Sequence, residues 1–189
     1  MSNEIILDFK DFIDFFIMKY KYDNRGVLRK IKLKSGLNRQ LSEEEWYELF
    51  ITKSALNCCA KFLLIKFYED NEKIACKINR QGLKKWRALV SNIEQQMGIL
   101  YDIAEKDCGR IDELKFAFRE SDYDLYKIDD ELASYIINKF INYDFNGYDS
   151  KKIHSIFVSL YYDEKRISMN LQLFYKPANA IEHILSFSN

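Results

Sequence analysis

The stretch that decides the fold is residues 42–70, SEEEWYELFITKSALNCCAKFLLIKFYED. Ser42 followed three residues later by Glu45 is the S-x-x-E capping box, in which the hydroxyl and the carboxylate each satisfy a free backbone N–H at a helix start. A long helix is therefore predicted to begin there. From Ala55 to Phe67 the segment is apolar on nearly all sides, as in a helix at the buried centre of a bundle.

The segments on both sides of this stretch repeat apolar residues at helical spacing. In residues 4–20 these residues recur at three- and four-residue steps, which indicates an amphipathic helix. The low content of 6 Gly and 1 Pro argues against a turn-rich all-β fold. The sequence predicts a mainly α fold, in which residues 1–189 form a single helical domain, a bundle. Further helices are predicted over 83–106, 111–118, 128–143 and 150–162.

Residues 25–40 show a different pattern. The run KIKLK at 30–34 alternates lysine with an apolar residue, and it lies between two turn signals, NRG at 24–26 and SG at 35–36. Alternation with period two between turns is typical of a half-buried β-strand. We therefore expect a small β hairpin or arm near residues 25–40.

Composition restricts the partners and the compartment. The 29 basic and 29 acidic side chains cancel, so any binding to nucleic acid or an anionic membrane must be local. The first residues lack a signal-peptide pattern, and no apolar run is long enough to span a membrane. Four cysteines without C-x-x-C spacing fit free thiols in a reducing compartment. We expect a cytoplasmic protein with no membrane partner, from a bacterium or phage with an AT-rich genome.

The residue patterns of common active sites are missing from the sequence. His154 and His183 do not stand at metal-ligand spacing, and each is better explained by a surface or helix-packing role. Cys58 and Cys59 are neighbours on a helix, so their side chains point about 100° apart and do not easily share an ion. Neither glycine-rich phosphate loop is present. We expect no enzyme activity, no catalytic residue, no cofactor and no metal.

Two basic regions are candidate nucleic-acid contacts. Residues 25–39 contain no acid, and the second cluster, within residues 77–87, lies beside Trp86. Paired patches of this kind can contact a phosphate backbone. The alternative is a lysine-guarded edge strand and an ordinary solvated helix face. The candidate contacts are Arg25, Arg29, Lys30, Lys32, Lys34, Lys84, Lys85 and Arg87.

The last third of the chain carries a resemblance. Residues 126–185 contain in order Tyr143-Asp144-Phe145, Lys165-Arg166, Leu171, Phe174-Tyr175, Pro177, Ile181, Ile184 and Leu185. This order is similar to the junction between the helical amino-terminal domain and the catalytic domain of adenine-specific DNA amino-methyltransferases, in type I restriction modification subunits and fused restriction-modification enzymes. The run CCAKFLLIKFYED at 58–70 resembles that family's long helix. The resemblance implies a helical module that helps to hold DNA and companion subunits.

The chain departs from that family at positions that matter for catalysis. The family threonine before the proline is Lys176 here, and lysine has no acceptor with which to cap a helix or shape a methyl-donor pocket. Pro177 is the only proline, so the Asn-Pro-Pro-aromatic catalytic loop is missing, and so is the glycine-rich donor loop. Residues 164–189 therefore resemble the entry to a methyltransferase domain that we expect this chain to lack.

These observations predict a non-catalytic macromolecular interaction protein that resembles a detached DNA-methyltransferase amino-terminal module. Such a protein would act on or within a restriction-modification or other phage-defence complex. The expected partner is a methyltransferase, nuclease or defence-complex subunit, with DNA or a second copy as further candidates. Two alternatives are a phage-encoded anti-defence inhibitor of a restriction or CRISPR nuclease, and a direct DNA-binding module.

The C-terminal helix raises the question of what covers its apolar stripe, because an exposed stripe of this size is unusual on a monomer. The helix must fold back on the bundle, pair with a second copy, or bind a partner. The candidate partner interface is Phe174, Tyr175, Ile181, Ile184 and Leu185.

Overall fold

A single long helix, α3 (Glu43–Asp70), forms the centre of the molecule, in a computed structural model that describes residues 2–35, 41–91, 95–162, 171 and 174–188. The Ser42 hydroxyl accepts a hydrogen bond from the Glu45 amide at 3.2 Å, and the Glu45 carboxylate accepts one from the Ser42 amide at 2.9 Å. The predicted capping box is therefore confirmed. Nearly every side chain from Trp46 to Glu69 is buried, because other elements surround the helix.

The other helices are arranged around α3. The mainly α prediction is confirmed, and no strand occurs within the described ranges. Short 3-10 helices occur at Asp122–Leu125 and Ser186–Ser188. The helices are α1 (Ser2–Tyr20), α2 (Arg25–Ser35), α4 (Arg80–Leu89), α5 (Met97–Cys108), α6 (Asp130–Phe140), α7 (Ser150–Tyr161) and α8 (Asn179–Leu185).

The predicted β hairpin or arm near residues 25–40 is wrong over residues 25–35, which form α2. Leu28 and Ile31, three residues apart, share the inward face of this helix, and Leu28 is fully buried. The alternation at 30–34 did not mark a buried strand face, since Leu33 is 77% exposed. A helix satisfies its own backbone groups, whereas a lone strand would leave them unpaired. Residues 36–40 lie outside the described part of the chain.

The predicted helix over 83–106 is interrupted, and the one over 111–118 is replaced by consecutive turns. Helix α4 ends where Val90 adopts an extended conformation. Helix α5 begins against α6, where the Gly98 amide donates to the Asp130 carboxylate at 2.8 Å. Periodicity predicted the apolar faces but could not reveal this docking contact.

Aromatic side chains join α1, α3 and α6 into the core. The ring of Phe9 lies 4.3 Å from that of Phe140 and 6.3 Å from that of Phe62, measured between centroids. All three rings are fully buried, which contributes about 1.5–3 kcal/mol per side chain relative to exposure. These contacts hold α1 along the side of α3.

None of the described helices is both long enough and apolar enough to cross a membrane.

Candidate functional site

Two of the predicted contacts attach α2 to α3. The Arg25 guanidinium is 3.1 Å from the Glu44 carboxylate and lies over the Tyr47 ring, 4.4 Å from its centroid. Lys32 donates to the Leu41 carbonyl at 2.8 Å. Through these contacts within the chain, Arg25 and Lys32 position α2 against the first turns of α3.

The other three predicted contacts on α2 point away from the bundle. Arg29, Lys30 and Lys34 are exposed, about 100° to 160° around the helix from Leu28. No acid forms a salt bridge with any of them within the described part of the chain. This face of α2 can therefore offer three cations to an anionic partner.

The start of α4 is held by one buried carboxylate at the other end of α3. Glu69 accepts hydrogen bonds from the backbone amides of Lys77, Ile78 and Asn79, at 2.8 to 3.1 Å. Burial raises the pKa of Glu69 to about 7, although these three donors favour the charged form. The Asn79 side chain then caps α4 by accepting from the Gly82 amide at 2.9 Å.

A glycine is required where α4 folds back on the loop before it. A Cβ at Gly82 would lie 2.4 Å from backbone atoms of Lys77, well inside van der Waals contact. The Lys77 ammonium pairs with Asp107 at 2.7 Å, which ties the same loop to α5. The position of α4 is thus set by backbone contacts as well as by its apolar face.

The outward face of α4 is basic. Lys84, Lys85 and Arg87 are all exposed, and among the described residues no acid forms a salt bridge with them. Leu83 is buried and Trp86 is partly buried on the inward side. The structure therefore separates the predicted contacts into two groups of three outward cations, which we call the α2 cluster (Arg29, Lys30, Lys34) and the α4 cluster (Lys84, Lys85, Arg87).

Charge is unevenly distributed along the chain despite its net value of zero. Residues 25–41 and 73–93 contain 12 of the 29 basic side chains and none of the acids. The rest of the chain therefore holds 17 basic and 29 acidic side chains. The two clusters are local positive regions attached to an acidic bundle.

The C-terminal segment, residues 174–188, folds back on the bundle, which is the first of the three alternatives considered for it. Phe174, Ile181 and Ile184 are buried, at 4%, 0% and 0% exposure, and Tyr175 and Leu185 are partly buried. Helix α8 packs against α3 and α7. In this conformation the predicted partner interface is covered by the chain itself.

Two buried polar side chains bind the backbone of this segment. The Lys53 ammonium donates to the carbonyls of Phe174 and Lys176, both at 2.9 Å, and the Tyr123 hydroxyl donates to the Lys176 carbonyl at 2.9 Å. Burial lowers the pKa of Lys53 to about 8. Tyr175 between them has a φ of 55°, a left-handed conformation that few non-glycine residues adopt.

The side chains of this turn are held by Asp122. Its carboxylate accepts from the Tyr175 hydroxyl at 2.6 Å and pairs with Lys176 at 2.9 Å. The Tyr175 hydrogen bond, together with Lys176, lowers the pKa of Asp122. Lys176, the departure from the methyltransferase pattern, thus has a structural contact within this chain.

Sequence reasoning missed the side chains that position these elements. Lys61 lies within the apolar run of α3 and Lys53 and Glu69 lie just outside its two ends, and that unusual location was the only signal. Lys61 pairs with Asp124 at 2.7 Å and Glu105 at 3.0 Å. Burial opposes its charge, but the two carboxylates outweigh it and raise the pKa of Lys61.

The residues considered for metal or nucleophilic chemistry are dispersed. Cys58 and Cys59 are buried in α3, and burial raises the pKa of the Cys58 thiol. His154 is partly buried on α7, and His183 is half-buried on α8, where its ring contacts Phe187. Among the described residues, no three His, Cys, Asp or Glu side chains are grouped closely enough to hold a metal ion.

No protein-family model, no curated protein and no solved structure gives a significant match to this chain. The resemblance to a methyltransferase module, and the defence complex that it implies, therefore stay predictions from the sequence.

Proposed function

We propose that this protein is a non-catalytic nucleic-acid-binding protein that contacts the phosphate backbone through the α2 and α4 clusters. The observation that carries the proposal is the outward presentation of six cations on two helices without a single acid. Phosphate contacts need accessible Lys and Arg side chains, and they do not require a shaped pocket.

Salt dependence supplies the first test. If all six cations replace counterions on duplex DNA, the logarithm of the binding constant should fall against the logarithm of salt concentration with a slope of about −5. Fluorescence anisotropy with a labelled duplex, in a salt series from about 50 to 200 mM, measures this slope. Absence of binding at the lowest salt would rule the function out.

Charge removal tests which residues carry the binding. The triple variants R29Q/K30Q/K34Q and K84Q/K85Q/R87Q should each reduce the salt slope by about 2.7. The matched control is K115Q/K151Q/K152Q, which removes three exposed lysines from outside both clusters. If the control weakened binding as much as the cluster variants, net charge would explain the effect and these clusters would not be the site.

A further inference from the structure

The two clusters are attached to opposite ends of α3. Arg25 anchors α2 at Glu44, and the amides before α4 are anchored at Glu69. These two glutamates are 25 residues apart, which corresponds to about 38 Å along a helix axis at 1.5 Å per residue. The attachment points of the two clusters are therefore about 38 Å apart along α3.

The two attachment points lie on the same side of α3. At about 100° per residue, Glu69 is displaced by only about 20° around the helix axis from Glu44. Tyr47, which lies under the Arg25 guanidinium, is within about 40° of Glu69 by the same count. A straight ligand that runs parallel to α3 over this side of the bundle can therefore approach the start of α2 at one end and the start of α4 at the other.

The surface between the clusters is not basic. Helix α1 occupies this position, because Phe9 packs on Phe62, which lies five full turns from Glu44. The outward side of α1 carries Asp8 and Asp11, which share Lys139 at 3.1 and 3.2 Å, together with an exposed Asp14. The cations thus form two separate contact points and no continuous stripe.

This separation matches the repeat of duplex DNA. On one face of B-form DNA, equivalent groove and backbone positions recur every helical turn, about 34–36 Å or 10–10.5 base pairs. Single-stranded nucleic acid has no such fixed repeat, and it is usually bound in a continuous positive groove. Resting on the function proposed above, we infer that the protein binds duplex DNA across one helical turn, with α2 and α4 contacting backbone positions one turn apart.

Duplex length tests the inference. Hairpin-capped DNA stems of about 8, 12, 16 and 20 base pairs span about 27 to 68 Å, so the shortest reaches only one cluster at a time. Binding by the wild-type protein should strengthen at least tenfold between the 8- and 16-base-pair stems. The K84Q/K85Q/R87Q variant should show no such step and should match the wild type on the 8-base-pair stem within about twofold.

Each other outcome has a distinct meaning. A wild-type affinity that does not change with stem length, or a step that persists in the α4 variant, would overturn the one-turn geometry while leaving nucleic-acid binding in place. Equal affinity for a single strand of the same length would also overturn it. Absence of binding to every stem would reject the proposed function itself.

Discussion

The C-terminal segment and the two basic helices differ in where their prominent side chains finally lie. The segment carries an apolar stripe that suggested a partner, yet Ile181 and Ile184 are fully buried against the chain's own bundle. The α2 and α4 clusters belong to short helices with only one apolar face, and their cations remain outward. The comparison shows that an apolar stripe indicates only that the stripe is buried, and the chain itself can bury it. An exposed charged face without ion-pair partners is available for binding.

The largest expected effect comes from placing charge under the covered segment. Changing Ile181 and Ile184 together to Asp would bury two carboxylates that have no partner, which should cost at least about 5 kcal/mol of the free energy of unfolding. Chemical denaturation measures the loss. The matched control, L33D/L89D, alters two leucines that are 77% and 78% exposed and should change stability little. Equal losses in both double variants would show that α8 is not a structural part of the bundle.

A smaller effect is expected at Gly82, where α4 packs against the backbone of Lys77 in the preceding loop. Gly82→Ala places a Cβ 2.4 Å from the Lys77 backbone, which must move and disturb the Glu69 hydrogen bonds. We expect a loss of about 3 kcal/mol, as for overpacking in a tight contact. Gly26→Ala is the control, because a Cβ there meets nothing within 4 Å and alanine favours a helix. The control should be neutral or slightly stabilising in the same denaturation assay, and a neutral Gly82→Ala would refute the close contact.

Lys53, which binds the backbone of the C-terminal segment, predicts that stability depends on pH. Burial lowers the pKa of Lys53 to about 8 from 10.5, so between these values the unfolded chain binds the proton that the folded chain has released. Stability should therefore rise with pH in this window, by about 2 kcal/mol between pH 7 and pH 10. Urea denaturation midpoints of the wild type and of Lys53→Met, measured across this pH range, give the effect as the difference between the two proteins. A difference between the two proteins that stays constant with pH would contradict the prediction.

The smallest effect is expected at the hydrogen bond between Tyr175 and Asp122, at the start of the C-terminal segment. Tyr175→Phe removes the hydroxyl that donates to Asp122 at 2.6 Å, in a partly exposed position. A loss of about 1 kcal/mol is expected, as for one hydrogen bond to a charged acceptor near solvent. Tyr148→Phe is the control, since no hydrogen bond of its hydroxyl occurs within the described residues. A loss no larger than that of the control would show that the Asp122 contact does not stabilise the turn.

The central helix could be predicted because its signals are local. The capping box at Ser42 needs only residues of the same turn, and the apolar run after it needs no knowledge of neighbours. The β arm failed for the same reason, since the five residues 30–34 fit a strand and a helix alike. Burial of Leu28 against the core decided between them.

The candidate site could be predicted only in part. The sequence identified all six outward cations, because acid-free basic runs are visible without a structure. It also included Arg25 and Lys32, whose contacts to Glu44 and Leu41 show that they hold α2 in place. Pairing between residues distant in sequence could not be predicted, and neither could the role of Glu69 in placing α4.

What the residue pattern alone established is a helical protein built on one long buried helix, with two acid-free basic regions. These properties depend on residues close together in the sequence. The 3.6-residue spacing of apolar side chains and the charge of a run can be recognised without a structure. Long-range packing settled the rest: the helical state of α2, the cover over α8 and the separation of the basic clusters along α3. Each of these depends on which surfaces meet, and the free energy of burying them is shared between residues far apart in the chain.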